Sequence, residues 1–304
     1  MSLSVPDTYT GARHNLSGIV LMVASMAVFA LEDALLKLAS RDLPTGQIIM
    51  VNALAGTLIF GLIVLAQRRN PLARAIWVGA PLARTLSEMA SSALYVTALA
   101  TIPLATASAV LQATPILITA VAALFLGEQV GWRRWTAILV GLAGVLIILR
   151  PGAEGFQLET LWAVASVLAL SARELLTRRI PPSLSGPQLA FGAYLPLTVM
   201  GGAMMQMQGG WRALDTYTAL LMLAVILAGC LGYIMVISAA RMGEVSVVTP
   251  FRYVRLPFAV VVAIALLAEW PDTTTLVGSA VVVAAGLYTL LRERKLARAR
   301  KKST

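Results

Sequence analysis

The chain has 304 residues, 59% of them hydrophobic and 12% charged. A soluble domain carries about 25% charged residues, so this composition, with a mean hydropathy of +0.82, excludes an ordinary soluble enzyme and points to an all-α integral membrane protein. The net charge of +10 does not point to nucleic acid, because seven of the 24 basic residues crowd into Arg292–Lys302 and most others fall in short loops; that is the footprint of membrane topology and of contact with anionic lipid headgroups.

Residues 1–15 are polar and read as a cytoplasmic segment, unstructured or interfacial. Ten apolar runs follow, at 16–38, 45–66, 76–98, 104–126, 134–150, 159–178, 188–207, 216–240, 245–268 and 274–291, each near the roughly 20 residues a helix needs to cross a bilayer. The connections are short and carry turn residues, as in Leu43-Pro44-Thr45-Gly46, Arg69-Asn70-Pro71 and Pro181-Pro182-Ser183. The first run is too long for a signal-peptide core and contains Glu32 and Asp33. The single cysteine, Cys230, lies in an apolar run, so no disulfide framework is expected.

Basic residues in loops set the expected orientation. With the N-terminus cytoplasmic, the inner side holds sixteen Lys and Arg residues and the outer side at most four. Both termini are therefore expected inside. Twenty arginines against four lysines hint at a GC-rich bacterial genome, hence a bacterial inner membrane.

An offset of 142 relates the two halves. Glu32 maps to Glu174, Lys37 to Arg179, Pro115 to Pro257 and Gly144 to Gly286, and Glu128 maps to Glu269 with one gap. The expected units are 16–150 and 159–291, followed by the basic tail 292–304. Five spans in each half make the second enter the membrane upside down, so the expected architecture is ten transmembrane helices as two inverted five-helix repeats.

Several stretches carry a family likeness: Ala98-Leu99 through Pro103-Leu104, Ala107-Ser108-Ala109, Pro115, Leu126-Gly127-Glu128 and Gly141-Leu142-Ala143-Gly144-Val145, with a degenerate second copy at Ala239-Ala240, Pro257, Glu269 and Gly286. On these residues the chain resembles the EamA-type members of the drug/metabolite transporter superfamily. The resemblance implies export of small metabolites, often amino acids, as in aromatic amino acid exporters of the YddG type. Asp33-Ala34-Leu35-Leu36-Lys37 is also similar to a branch associated with S-adenosylmethionine uptake.

Charges inside the spans are the candidate site. Burying one costs on the order of 3 kcal/mol on insertion scales, so it survives only toward a bundle interior or a wet cavity. Arg252 and Arg255 lie three apart between Pro250 and Pro257 and are expected to share a helical face. They or Arg84 would meet a substrate carboxylate, which guanidinium matches bidentately. Glu32 or Glu88 would meet an ammonium group. Arg84 and Glu88 are four apart, so mutual neutralisation is an equal alternative. Glu32 ranks above its neighbour Asp33 because it has a repeat partner. Gln112, Tyr95 and Tyr253 adjoin these charges as further candidates, and Pro115 and Pro257 are expected to kink or gate their spans. Ala137 and Gly141, with Gly144 beyond, are expected to pack helices closely, in one reading between two copies of the chain.

There is no P-loop signature and the only histidine is His14, so neither an ATP motor, a histidine metal cluster, a cofactor nor catalysis by a Ser-His-Asp triad is expected. The leading expectation is a secondary transporter of a small amphipathic zwitterion. The alternatives are proton-coupled efflux of cationic drugs through Glu32, uptake of an S-adenosylmethionine-like metabolite, and, in another class, a carboxylate-based membrane enzyme or lipid scramblase.

Overall fold

The computed structural model describes the backbone of residues 8–125, 131–151, 157–242 and 245–303. Leu126-Gly127-Glu128 lie outside the described residues. All regular elements within them are helical: α1 Thr8–Asp42, α2 Thr45–Ala66, a 3-10 turn Arg74–Trp77, α3 Gly79–Thr101, α4 Leu104–Leu111, α5 Thr114–Phe125, α6 Trp132–Leu149, α7 Thr160–Thr177, α8 Gly186–Met207, α9 Thr216–Met242, α10 Val245–Val248, a 3-10 segment Thr249–Val254, α11 Arg255–Leu267 and α12 Thr273–Ser303. Eight segments are long and apolar enough to cross a membrane. With α3 and α8, which have span length and a more polar make-up, they make a ten-span helical membrane protein.

The ends differ from the sequence reading. Residues 8–15, expected to be unstructured or interfacial, continue α1, because extending an existing helix by a residue is far cheaper than nucleating one. The basic tail likewise continues α12 to Ser303; Lys, Arg, Ala and Leu are all good helix formers.

The fourth and ninth spans are broken, where continuous kinked helices were expected. α4 ends at Gln112, whose N–H bonds back to the Ala109 and Ser108 carbonyls, and α5 restarts at Thr114. Pro115 has no N–H to give the Leu111 carbonyl, and the Thr114 hydroxyl supplies the missing donor at 2.5 Å. In the ninth span the chain runs as α10, then the 3-10 segment opening on Thr249-Pro250, then α11. Pro115 and Pro257 both fall in the first turn of a restarting helix, where a missing N–H costs little. They are therefore start residues and not kinks within a helix.

The largest packing pairs are α1 with α9, α2 with α8, α3 with α7 and α6 with α12, and α4 crosses α11. Exchanging the two halves turns the α1–α9 pair into α7–α3 and leaves the α2–α8 and α6–α12 pairs unchanged. Glycine makes two of these crossings possible. A Cβ on Gly46 would lie 2.2 Å from the Met205 backbone nitrogen, and one on Gly278 would lie 2.7 Å from the Gly144 carbonyl. The small-residue face of α6, considered above as a contact between copies, is used within the chain. Gly141 packs on Ile116 and Ala285, and Gly144 on Val282 and Gly278.

One end of the bundle is tied shut. Lys37 pairs with Glu269 at 2.9 Å and also donates to the Ile102 carbonyl, while Glu269 accepts the Leu104 N–H at 2.8 Å. Arg150 pairs with Asp272, and Arg212 donates to the Asp42 carbonyl at 3.0 Å. Asp272 also caps α12 by accepting the Thr275 N–H at 2.7 Å. The hydrogen bond from Arg150 and the cap hold its carboxyl well below the usual carboxylate range.

Candidate functional site: a central cavity lined by arginines

The broken spans leave a cavity of about 630 Å³ between the halves, reaching from Tyr95 and Arg255 in the middle of the bundle to Arg134 and Arg178 at the end opposite the Lys37–Glu269 tie. Its floor is a buried charge pair that the sequence reading missed. Asp33, on α1, is 2% exposed and accepts hydrogen bonds from Arg255 at 2.7 Å and from the Tyr95 hydroxyl at 3.0 Å. The Arg255 guanidinium also lies over the Phe29 ring, 5.3 Å from its centre. A buried carboxylate survives only when paired and hydrogen-bonded, and both conditions are met here. Asp33 ranked below Glu32 because it has no counterpart at the 142 offset, whereas its function as a counter-ion to Arg255 needs none.

Arg252 and Arg255 were expected to share a face, and both line the cavity. Their environments differ because the junction of the 3-10 segment with α11 falls between them. Arg255 is neutralised by Asp33. Arg252 has protein packed about it yet is exposed, and it lines the cavity. Its guanidinium makes no hydrogen bond or salt bridge with a described residue; Glu174, Arg173 and Arg255 are its charged neighbours. Its backbone carbonyl accepts from Gln112 Nε2 at 3.3 Å, which ties the fourth span to the ninth.

Other candidates fall elsewhere. Arg84, expected deep in its span, stands in the second turn of α3, because that helix starts at Gly79, three residues later than expected. Gly79 takes the left-handed conformation there (φ +62°). Arg84 Nε donates to the Thr177 hydroxyl at 3.1 Å and lies 3.5 Å from Glu88. Glu88 is closer to Arg173, at 2.9 Å, and Arg173 also meets Glu174 at 3.2 Å. Arg84 and Glu88 thus join α3 to α7 and are absent from the cavity wall, whereas Arg173 and Glu174 belong to it. Ser91 and Ser166 close the same helix crossing, the Ser166 hydroxyl donating to the Ser91 carbonyl at 3.0 Å. Glu32 also stands off the wall. It is half-buried against α9, so close that a Cβ on Gly229 would be 2.7 Å from its Oε1, and it makes no hydrogen bond or ion pair with a described residue.

The rest of the wall is apolar or weakly polar: Met26 and Phe29 of α1, Leu111 and Gln112, Pro115, Leu170, and Tyr233 and Val236 of α9. Tyr253 forms part of it, 5% exposed, its hydroxyl buried without a hydrogen-bond partner. Charged and hydroxyl-bearing groups set beside apolar and aromatic side chains in a pocket of this size suit a small amphipathic solute.

Residues 16–150 match the EamA-like transporter family. Among curated proteins, the chain is similar to an S-adenosylmethionine uptake transporter of Rickettsia bellii, 24% identical over 193 residues, 64% of this chain and 66% of that protein. That match spans slightly less than two thirds of the relative's length. Longer matches are to a riboflavin transporter of Vibrio cholerae, 25% identical over 94% of this chain and 97% of the relative, and to a pseudopaline exporter of Pseudomonas aeruginosa, 25% identical over 88% and 94%. A solved structure shares the fold at 19% identity, with a TM-score of 0.58 over 93% of this chain and 98% of its own. The chain is thus similar to the EamA-like transporter family over residues 16–150, and the curated proteins it matches are named as transporters and exporters of small molecules.

Proposed function

We propose that this chain is a secondary transporter that holds a small amphipathic metabolite in the central cavity, with an anionic group of the substrate on Arg252. The observation that carries this reading is Arg252 itself, a guanidinium on the cavity wall without a hydrogen-bonded or ion-paired partner among the described residues. Charge at such depth is retained where it meets charge, and guanidinium matches a carboxylate in two-point contact. Phe29, Tyr95, Tyr233 and Tyr253 place aromatic side chains on the wall for the apolar part of the solute. The relatives are named for chemically different substrates, so likeness alone selects none for this chain. The cavity favours an amino acid or similar carboxylate with an apolar side chain, and Glu174 is the wall carboxylate nearest to receive an ammonium group.

The two five-helix halves are read as an inverted repeat that rocks about the broken spans, which would open the cavity to each side in turn. The symmetric pairing of helices supports this. With both termini cytoplasmic, the open end bearing Arg134 and Arg178 faces the cytoplasm, and the Lys37–Glu269 tie closes the far side. Export follows if the substrate loads from that inner face.

A second reading concerns energy. Glu32 is a half-buried carboxylate with no hydrogen bond or ion pair to a described residue, and it would take up and release a proton as the halves move. Efflux of a cation through this cavity is disfavoured by its arginines. Flux into proteoliposomes of labelled amino acids, organic anions and organic cations, with and without a pH gradient, tests the proposal. Carboxylates are expected to be carried and cations rejected; cation flux without carboxylate flux contradicts the reading.

A further inference from the structure

A second hollow lies on the outside of the bundle. It is a groove of about 770 Å³ between the 3-10 segment with α11 on one side and α12 on the other. Its walls include Phe251, Pro257, Val261, Leu276, Ala280 and Val283, and their only polar groups are the side chains of Thr275, Ser279 and Tyr253. Val261 is 60% exposed and Leu276 46%. Both belong to apolar spans, so the groove opens where lipid chains surround the helices.

Groove and central cavity have one wall residue in common, Tyr253. Its ring crosses from the 3-10 segment to α12 and stops against Gly286, where a Cβ would come within 1.8 Å of the hydroxyl oxygen. Gly286 lines the cavity. The tyrosine hydroxyl makes no hydrogen bond, so it is the shape of the side chain that holds the position. The backbone beneath is weak. It is 3-10 in form, with poorer hydrogen-bond geometry than an α-helix.

We infer that the gap between the ninth and tenth spans is a lateral passage from the bilayer to the substrate cavity, closed by the Tyr253 side chain against Gly286, and that it admits the apolar part of amphipathic substrates. The passage rests on the transporter reading of the cavity. It adds that such substrates can be collected from the membrane, where an apolar body partitions, while the anionic group enters last and meets Arg252. A septum one side chain thick, on the least regular backbone of its span, can open without moving a whole helix.

The test uses the full chain in proteoliposomes, with Cys230→Ser and a single cysteine placed by Ser92→Cys on the cavity wall. Two reagents compete for it: a long-chain N-alkylmaleimide confined to the bilayer, and a charged methanethiosulfonate confined to water. If the open septum is a minor state, Tyr253→Ala raises the bilayer-phase rate by about tenfold or more and leaves the water-phase rate unchanged. Tyr253→Phe leaves both unchanged, since the hydroxyl has no partner. Adding Ala280→Trp, which fills the groove outside the septum, cancels the rise. No bilayer-phase rise in Tyr253→Ala, or a rise that Ala280→Trp does not reverse, overturns the passage. An equal rise with both reagents, the mark of a loosened fold, overturns the septum role as well. Failure of the substrate reading shows separately, as unchanged solute flux in Arg252 variants.

Discussion

Asp33 and Arg255 meet at 2.7 Å across 222 residues of sequence, one from each half of the chain. The pair joins the first span to the ninth beneath the cavity and neutralises one of its two deepest arginines. That division of labour separates two residues which look equivalent in the sequence.

The first prediction concerns this pair. Removing one partner leaves an uncompensated buried charge, which costs roughly 3–5 kcal/mol. Asp33→Ala and Arg255→Ala are expected to lower thermal stability in detergent sharply, and Asp33→Asn less so because it can still accept a hydrogen bond. Thermal unfolding of the purified variants checks this. Arg252→Ala has no such partner to strand and is expected to unfold like the parent protein.

The tie at the closed end gives a second prediction. Lys37→Met leaves Glu269 without its cation and frees the Ile102 carbonyl. A cysteine replacing Thr101, which stands exposed beside that tie, is then expected to react several-fold faster with a membrane-impermeant thiol reagent applied to the closed side. Equal rates with and without Lys37→Met would show that the ion pair does not hold this end shut.

A third follows from Asp272 outside the membrane. Its folded value is depressed by Arg150, so its stabilising contribution is complete above the unfolded value near 3.8 and fades only as pH falls through the folded one. The difference in melting temperature between the parent and Asp272→Asn is expected to stay constant from about pH 8 to pH 5, shrinking only below about pH 4. A difference already lost near neutral pH would assign it to some other group.

A fourth concerns the α6–α12 crossing. Gly144→Leu places a branched side chain where even a Cβ would meet the Gly278 carbonyl at 3.0 Å. Overpacking of this kind costs about 1–3 kcal/mol, and contact with backbone puts the expected loss at the upper end. Gly186→Ala, with nothing within 4 Å, is the control and is expected to be silent in the same melt.

Much of the fold was legible because a bilayer imposes run length on sequence, and the ten runs lie where the helices lie. The breaks in the fourth and ninth spans were half legible. Pro115 and Pro257 mark them, but only the structure shows that each proline stands in the first turn of a new helix and that the Thr114 hydroxyl serves the carbonyl left over. The site was harder to read. Asp33 and Glu32 are sequence neighbours, and which of them reaches Arg255 depends on the rotation of α1 against α11, a tertiary choice. Glu88 was paired by spacing with Arg84, yet it lies closer to Arg173 on another helix. No spacing rule contains that contact.

The most direct test of the central claim compares Arg252→Gln with the parent in proteoliposome uptake of labelled tryptophan and tryptamine, which share a ring and differ in the carboxylate, with the melt of each sample as a check on folding. The account predicts that the parent favours tryptophan and that Arg252→Gln loses its uptake by about tenfold or more at unchanged stability. Equal tryptophan uptake by parent and variant, or a parent that prefers tryptamine, would contradict it.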